Sequence, residues 1–294
     1  MGEVTDRRAD DLLGRLTVGS CVVAELREGS VLPQRLVPRP HLHPVRTMGG
    51  LLVTEDEPAD HRHHLGVGAA VPLVEDTNLW GGPTFVSGAG YRELHDHGRQ
   101  DVVTCEAADA GFRLDVRWVG RAGTPLLLER RHVTGRPLPG WPGAWVLRHS
   151  TRLTNPLNHP AVLASPAVRG EPGAGYGGVF WRAPISARDL TVQAPGATGE
   201  QEVDGRVHPW VLLTGVDAAD GLPWSVLFVP LGKSRACPWY VRLRDYPALG
   251  PAVAWDHPQT LAAGMRVAHG ILAAVVDGHV APADVPALLV AMPR

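Results

Sequence analysis

Glycine and proline interrupt this chain every few residues, and this density is the feature that most limits its fold. The 294 residues include 34 Gly and 27 Pro, and each of these residues tends to end or kink a helix. Long helices are therefore not expected. Short segments with strand character lie between the breaks, and residues 112–119 alternate apolar and polar side chains as a half-buried strand does.

Many short strands joined by turns predict an all-β fold, a large antiparallel β-sandwich that forms a single domain over residues 1–294. Short helices are expected at both ends. One covers Arg8 to Leu16 within an N-terminal extension of residues 1–17, and the other lies in residues 281–294, where Pro282 and Asp284 supply start signals. The remaining predicted strands are Leu126 to Val133, Trp145 to Leu153, Trp210 to Val216, Trp224 to Leu231, Trp239 to Leu243 and Val267 to Val276.

Charge and hydropathy limit the partners. A formal net charge of -2 gives no electrostatic reason to expect a nucleic-acid partner. Cys21, Cys105 and Cys237 are far apart and form no CxxC pair, so neither a disulfide framework nor a cysteine zinc site is predicted. No segment approaches the roughly 18 apolar residues of a membrane helix. We expect a soluble, cytoplasmic protein that acts on a small-molecule or carbohydrate partner, with no membrane partner.

Histidines are concentrated in residues 41–82, which hold five of the 14 in the chain. Residues two apart on a strand project to one face, so a His-x-His pair can direct two imidazoles to one place. Imidazoles with a carboxylate can act as general acid and base. Three imidazoles can instead bind a divalent metal that keeps an open position for water. The spacing does not decide between these readings; we favour the metal-free one, predict no cofactor, and keep a divalent metal possible at the histidine cluster. The pairs are His41/His43, His61/His63 and His95/His97, and the nearby carboxylates are Asp60, Glu93 and Asp96.

A second segment of interest is residues 169–182, RGEPGAGYGGVFWR. Its glycines let the backbone approach a ligand closely, and its aromatic rings suit the C–H face of a sugar. The alternative is a glycine-rich turn into a core strand that buries Phe180 and Trp181. Among the nine tryptophans, those beside glycine- or proline-marked segments are cleft candidates and those inside strands are core candidates. The cleft candidates are Trp80, Trp181 and Trp239, and the core candidates are Trp118, Trp145 and Trp224.

The segments RPHLHPVRTMGGLLVTEDEPADHRHHLGV, NLWGG, GAGYGGVFWR and PWYVRLRDYP together resemble a bacterial family of unknown function that is often labelled methane-oxygenase-like. The resemblance spans about residues 39–278 and implies a galactose-mutarotase-like supersandwich and a role in carbohydrate metabolism. Two positions depart from the family pattern: Leu65 follows the histidine run where the family has arginine, and Val276 precedes Asp277 where the family has histidine. The resemblance implies site positions at His43, Arg46, Asp60, His61, His63, His64, Tyr176 and Arg182.

The resulting prediction is an enzyme of the epimerase, lyase or hydrolase type that uses His/Asp acid–base chemistry on a sugar in an open cleft. Ordinary glycoside hydrolysis is disfavoured because no convincing pair of carboxylates can be named. The alternatives are a non-catalytic carbohydrate- or metabolite-binding protein and a metal-dependent tailoring enzyme of secondary metabolism. The predicted catalytic residues are His64, His97, Asp60, His63 and Arg182. The predicted substrate-binding residues are His43, Arg46, Trp80, His95, Glu171, Tyr176, Trp181 and Trp239.

Overall fold

A computed structural model of the chain describes residues 11–244 and 246–293, and it confirms the all-β fold. All seven strands predicted between residues 112 and 276 are present, with boundaries that differ by a few residues at most. The two α-helices of the described residues are α1, Glu200–Val203, and α2, Val285–Ala291. The strands are β1 Leu12–Val18, β2 Cys21–Arg27, β3 His41–Val45, β4 Val67–Ala70, β5 Leu73–Val74, β6 Thr77–Asn78, β7 Thr84–Val86, β8 Gly90–Arg92, β9 Arg99–Ala108, β10 Gly111–Val119, β11 Pro125–Pro137, β12 Ala144–Thr154, β13 Ala161–Ala164, β14 Gly178–Arg182, β15 Arg188–Ala194, β16 Ala197–Thr198, β17 Val211–Val216, β18 Pro223–Gly232, β19 Trp239–Arg242, β20 Ala248–Pro251, β21 Gln259–Leu261 and β22 Arg266–Asp277.

Two large antiparallel sheets form the sandwich. The first has seven strands in the order β1-β2-β3-β4-β14-β20-β19, and the second has nine in the order β16-β15-β17-β18-β22-β12-β11-β10-β9. A four-stranded sheet, β21-β13-β5-β6, and the hairpin β7-β8 complete the described part of the chain. Strands distant in sequence thereby become neighbours, since β4 pairs with β14 and β12 pairs with β22.

The main core lies between the two large sheets and follows from strict alternation. On β10, Leu114, Val116 and Trp118 are at most 2 % exposed, while the residues between them point outward. The seven-stranded sheet contributes Trp181, whose ring lies 5.1 Å from that of Phe228 on β18. The predicted core positions of three tryptophans are confirmed, because all three are at most 1 % exposed: Trp118, Trp145 and Trp224.

The helix predicted at the C-terminal end is confirmed, and the one predicted at the N-terminal end is not. The predicted C-terminal helix is present as α2, which buries Val285 and Leu288 against the outer face of the nine-stranded sheet. The predicted N-terminal helix is wrong from Leu12 onward, where β1 begins; residues 8–10 lie outside the described part of the chain. The helical period is overridden by a tight hairpin, because Gly19 takes φ +60° and Val18 pairs with Cys21.

Neither helix of the described part of the chain has the length and apolar character needed to cross a bilayer.

Candidate functional site

A cleft of about 510 Å³ lies where three loops meet beside the seven-stranded sheet. The loops are residues 59–64 between β3 and β4, residues 80–83 between β6 and β7, and the segment around Tyr246 between β19 and β20. Most of its polar groups are imidazoles and phenols. The lining residues are Arg35, Leu36, Ala59, Asp60, His61, Arg62, His63, His64, Trp80, Gly82, Pro83, Tyr91, Tyr176, Tyr240 and Tyr246.

All four tyrosines of the chain line this cleft. The Tyr240 and Tyr246 hydroxyls are hydrogen-bonded to each other, and those of Tyr91 and Tyr176 lie 3.5 Å apart. Burial raises the pKa of Tyr176 and Tyr240 well above the ordinary value. These phenols therefore remain protonated at neutral pH and can donate hydrogen bonds.

Three histidine rings meet in the cleft because the chain turns tightly between Pro58 and His64. His61 N–H donates to the carbonyl of Pro58, and His64 N–H donates to that of His61. The His61 and His64 rings stack with centroids 4.7 Å apart, and the His63 ring meets the His64 ring edge-on at 4.7 Å. The Tyr246 ring covers His61 at 4.4 Å.

Buried Arg39 fixes the backbone around this turn. Its guanidinium donates to the carbonyl of His63 at 2.6 Å and to that of Trp80 at 2.9 Å. It also donates to the carbonyls of Leu36 and Val37. One cation therefore joins three segments: residues 59–64, here called the histidine loop, residues 80–83, and the short 3-10 helix Gln34–Leu36 that precedes β3.

The glycines of the NLWGG segment make room for His63. Gly81 and Gly82 have φ of +105° and +67°, a region that favours glycine. A Cβ on Gly82 would lie 2.7 Å from the His63 ring, and one on Gly81 would lie 2.7 Å from the His63 Cβ. Any side chain at either position would displace the imidazole.

Asp60 connects the histidines to a buried arginine. Its Oδ2 lies 2.8 Å from Nδ1 of His61 and 3.3 Å from a terminal nitrogen of Arg182. Burial raises the pKa of Asp60, but the hydrogen bond from His61 and the charge of Arg182 outweigh this and leave the pKa below its ordinary value. Asp60 contacts Nδ1 of His61, so the other ring nitrogen, Nε2, is not engaged by this carboxylate.

Burial makes His63 and His64 poor bases. It lowers the pKa of His63 to about 3, with the charge of Arg39 adding to the effect. Burial likewise lowers the pKa of His64 well below 6.5, and the neighbouring His63 contributes. Both rings are therefore neutral at physiological pH. The His64 ring packs against Phe180 at 5.2 Å, and its Nδ1 has no hydrogen-bond partner among the described residues.

The structure brings together five of the predicted catalytic and substrate-binding residues, together with His61, which the family resemblance implies, and places one more directly beneath them. The five that line the cleft are Asp60, His63, His64, Trp80 and Tyr176. Arg182 lies below Asp60 and the Tyr246 ring, fully buried, and its Nε and Nη1 have no hydrogen-bond partner among the described residues. It therefore contacts the site through Asp60 and does not line the cleft.

Other predicted residues lie away from the lining. His97 is buried and its Nε2 lies 2.7 Å from the carbonyl of Gly82, so it supports the cleft wall from behind. The His43 Nδ1 lies 3.0 Å from the Thr54 hydroxyl. Arg46 donates to the carbonyl of Gly50 on the surface. His95 and Glu171 also fall outside the residues that line the cleft.

The prediction that Trp181 and Trp239 line the cleft is wrong. Trp181 is 1 % exposed and donates its indole N–H to the carbonyl of Val53, and Trp239 is 0 % exposed and donates to that of His208. Both face the core, because successive residues of a strand point to opposite faces. Their neighbours Phe180 and Tyr240 face the cleft side instead.

Four lining residues of chemical interest are not among the predicted catalytic or substrate-binding residues. His61 belongs to the histidine cluster without a role of its own, although it is the ring that Asp60 contacts. The signal for the tyrosines is their scarcity, since only four phenols occur in 294 residues and all four converge on the cleft. The three that the sequence does not assign to the site are Tyr91, Tyr240 and Tyr246.

The histidine cluster presents ring faces and edges rather than converging nitrogens. No group of three or more His, Cys, Asp or Glu among residues 11–244 and 246–293 is arranged to hold a metal ion.

Comparison with known proteins gives a family match and several weak structural likenesses, two of which are described here. No curated protein matches the chain. A polysaccharide lyase has a TM-score of 0.34 and 11 % identity, covering 88 % of this chain and 33 % of the lyase. A candidate aldose 1-epimerase from Klebsiella pneumoniae subsp. pneumoniae MGH 78578 has a TM-score of 0.31 and 13 % identity, covering 69 % of this chain and 61 % of the other. The chain thus spans about a third of the lyase and about three fifths of the epimerase.

The family match extends over residues 15–289, nearly the whole chain. It includes residues 59–64, Tyr176, Tyr240 and Tyr246, all of which contribute to the lining of the cleft. The predicted membership of a family of unknown function is confirmed: the chain belongs to the Family of unknown function (DUF6807).

Proposed function

We propose that the cleft is the active site of an enzyme that transfers protons on a sugar or sugar derivative. The observation that carries the proposal is the Asp60–His61 pair at the cleft wall, with Nδ1 of His61 held 2.8 Å from a carboxylate oxygen. A carboxylate in that position fixes the tautomer of the ring and stabilises the imidazolium that forms when Nε2 takes a proton. His61 is therefore the proposed base.

The roles of the other imidazoles follow from their burial. A general base works best when its pKa lies near the operating pH, and burial lowers the pKa of His63 to about 3. We assign His63 and His64 to hydrogen bonding with the substrate and not to proton abstraction. This assignment differs from the sequence-based prediction, which places His63 and His64 among the catalytic residues.

The tyrosines support a polyhydroxylated substrate. A phenol offers an apolar ring that can lie against C–H groups and a hydroxyl that can bond to an oxygen. Four phenols and Trp80 surround one volume of about 510 Å³, a size typical of small-ligand sites. A protonated tyrosine can also return a proton to the substrate oxygen or carbon that needs it.

The carboxylate inventory favours isomerase or lyase chemistry over glycoside hydrolysis. Paired-carboxylate glycosidases need two acids across the scissile bond, and Asp60 is the single carboxylate among the described lining residues. Proton abstraction from a ring carbon needs one base and one acid. Return of the proton to the other face gives epimerisation, and loss of an oxygen leaving group from the neighbouring carbon gives elimination.

The test is proton exchange. Purified protein is incubated in D₂O with neutral sugars, uronates and oxidised sugars, and NMR follows loss of C–H signals and the appearance of epimers or unsaturated products. We expect exchange with at least one class and its loss in His61→Ala. His257→Ala is the matched control, because His257 also lies beside an aspartate, at 2.6 Å from Asp256, but is 82 % exposed and outside the cleft.

Each other outcome has a meaning. A His61→Ala variant as active as the wild type would remove the proposed base. Binding of a sugar without exchange or product would favour the non-catalytic binding protein. Turnover that appears only after addition of a divalent metal would favour the metal-dependent enzyme.

A further inference from the structure

Apart from the cleft, the structure has a charged surface on the outer face of the nine-stranded sheet. There β10, β11 and β12 present outward-facing arginines around a groove of about 590 Å³. We call this set the arginine platform. Its members are Arg113, Arg130, Arg148 and Arg152.

The platform occupies the part of this sheet face that the chain itself does not cover. Toward the other end of the same strands, α2 packs on the outward-facing Val146, Leu272 and Ala274. Farther along β12, the outward residues change to Arg148, Ser150 and Arg152. The face is thus divided into an apolar part covered by the C-terminal segment and a basic part left open.

The arginines are more numerous than the acids that could neutralise them. Four arginines face Glu106 and Asp115, so the groove carries a formal charge of +4 − 2 = +2 in a chain of net charge -2. Arg130 pairs with Asp115 at 3.1 Å. Arg113, Arg148 and Arg152 make no side-chain hydrogen bond or ion pair within residues 11–244 and 246–293.

The register places like charges side by side. Arg130 lies directly opposite Arg152. Like charges at facing positions destabilise a sheet, and among the described residues Asp115 pairs with Arg130 but no carboxylate pairs with Arg152. Arg113 lies opposite the His132 ring. Burial is the largest cause of a lowered pKa at His132. The charges of all four platform arginines lower this pKa further, because their fields overlap at the ring.

Small residues form the floor between the arginines. Ser150 lies opposite His132 on one side and Gly270 on the other, and Ala268 lies opposite Arg152. A ligand can therefore approach the sheet closely while long arginine side chains surround it. Guanidinium groups form strong, often bidentate hydrogen bonds with carboxylates and other oxyanions.

The extent of the platform indicates a ligand with several negative groups. Arg148 and Arg152 are four residues apart on β12, and the platform arginines span the two strand spacings from β10 to β12. At ordinary strand dimensions the platform therefore extends about 14 Å along the strand and about 10 Å across the sheet. An adjoining groove adds Arg117 and Arg266 and shares Arg130 and Arg152. A single small anion would leave most of these charges unpaired.

We propose that the arginine platform binds an acidic polysaccharide, a glycan chain that carries carboxylate or sulfate groups. A nucleic-acid single strand fits less well, because such sites combine basic residues with aromatic rings on which bases stack. No Phe, Tyr or Trp occurs among the described residues that line the two grooves. The site is separate from the cleft and does not depend on the function proposed for it.

The test measures affinity by calorimetry for polygalacturonate, heparin, neutral dextran and poly(dT). We expect one or both acidic glycans to bind, with affinity falling as salt is raised from about 50 to about 300 mM, and dextran not to bind. The two acidic probes distinguish carboxylate from sulfate as the recognised group. Binding should also persist in His61→Ala, which separates this site from the cleft.

Matched double variants make the result specific. Arg148→Gln/Arg152→Gln should weaken glycan binding by about tenfold or more, as loss of two charge-assisted contacts does, while the folded state is checked by circular dichroism. Arg113→Gln/Arg130→Gln should give a similar loss, and it replaces the first variant if that one fails to fold. Arg188→Gln/Arg206→Gln changes the net charge equally at exposed positions off the platform and should leave affinity within about twofold. Equal loss in this control, absence of glycan binding, or binding of poly(dT) in preference to both glycans would overturn the proposal.

Discussion

Asp60 and His61 are neighbours in sequence and hydrogen-bonded to each other, with Oδ2 of the carboxylate 2.8 Å from Nδ1 of the ring. The same carboxylate lies 3.3 Å from buried Arg182, so its position is fixed from below as well. The ring in turn lies under Tyr246. A carboxylate held in this way can orient one imidazole and stabilise its protonated form.

Replacement of Asp60 by asparagine should lower kcat by about 100-fold, within the range that general acid–base catalysis contributes. The amide keeps the size of the side chain but cannot stabilise an imidazolium. The measurement is steady-state kinetics on a substrate found by proton exchange. Asp256→Asn is the control, because Asp256 contacts His257 at 2.6 Å on the surface. Equal kcat in Asp60→Asn and wild type would contradict the role.

Gly82→Ala should destabilise the protein and reduce turnover. The new Cβ would lie 2.7 Å from the His63 ring at a φ of +67°. Gly88→Ala is a matched control, because Gly88 has a φ of +75° and a Cβ added there would have no neighbouring atom within 4 Å. Backbone strain alone costs about 1 kcal/mol, so denaturant unfolding should show a clearly larger loss for Gly82→Ala. Equal losses would mean that the His63 ring moves aside freely.

Arg39→Lys should lower the free energy of unfolding by about 2–5 kcal/mol, because lost bonds leave buried carbonyls without donors. The guanidinium donates to four backbone carbonyls, including that of His63. An ammonium cannot reach all of them from one position. Arg15→Lys, at an exposed side chain paired with Glu25, should change stability by less than about 0.5 kcal/mol. A small effect at Arg39 would show that the histidine loop is held by other contacts.

Stability should fall as pH drops below about 6.5, in part because of histidines outside the cleft. Burial lowers the pKa of His149 to about 3, aided by the charge of Arg131, and lowers the pKa of His269 to about 4, aided by Lys233. Since the folded pKa is depressed, the unfolded chain binds protons first. The stabilisation is complete above pH 6.5 and is lost as pH falls toward 4 and 3.

At pH 5 each of these two histidines should already have cost about 2 kcal/mol, at about 1.4 kcal/mol per pH unit below 6.5. Denaturant unfolding at pH 7.5 and pH 5 measures the difference. His149→Gln should remove its share of that difference, whereas His257→Gln, at an 82 % exposed side chain, should not change it. A pH profile that is the same for His149→Gln and wild type would show that His149 is not held neutral by the fold.

The half of the fold that is easiest to predict from sequence is the half with strict alternation. β10 has one face in the core and one toward solvent, so its period of two is visible in the sequence, and the second half of β12 alternates in the same way. Strands β4 to β8 have two to four residues each, too few to show a period. β4 and β5 are placed by pairing with the distant strands β14 and β13, while β6 follows β5 and β7 pairs with β8 in a local hairpin.

The errors at the site come from the same geometry. Segments 178–182 and 239–242 do lie beside the cleft, but the side chains that face it are Phe180 and Tyr240 and not the neighbouring tryptophans that the sequence favours. A shift of one residue along a strand reverses its face. Likewise Asp60-His61 and Asp256-His257 are identical dipeptides with similar hydrogen bonds. Only the tertiary structure distinguishes the pair in a cleft from the pair in solvent.

Tyr246→Phe offers the sharpest test of whether the phenols contact substrate. The Tyr246 ring lies 4.4 Å from the His61 ring and 5.1 Å from the His64 ring, and phenylalanine keeps both contacts. Its hydroxyl, bonded to that of Tyr240, would be lost. If that hydroxyl also bonds to the substrate, kcat/KM should fall by about tenfold, the value of one hydrogen bond of about 1.4 kcal/mol, while the unfolding midpoint changes little. Tyr246→Leu removes the ring as well and should reduce kcat further, because His61 loses the surface that orients it. An unchanged kcat/KM in Tyr246→Phe together with a large loss in Tyr246→Leu would assign Tyr246 to positioning His61 and not to binding the sugar.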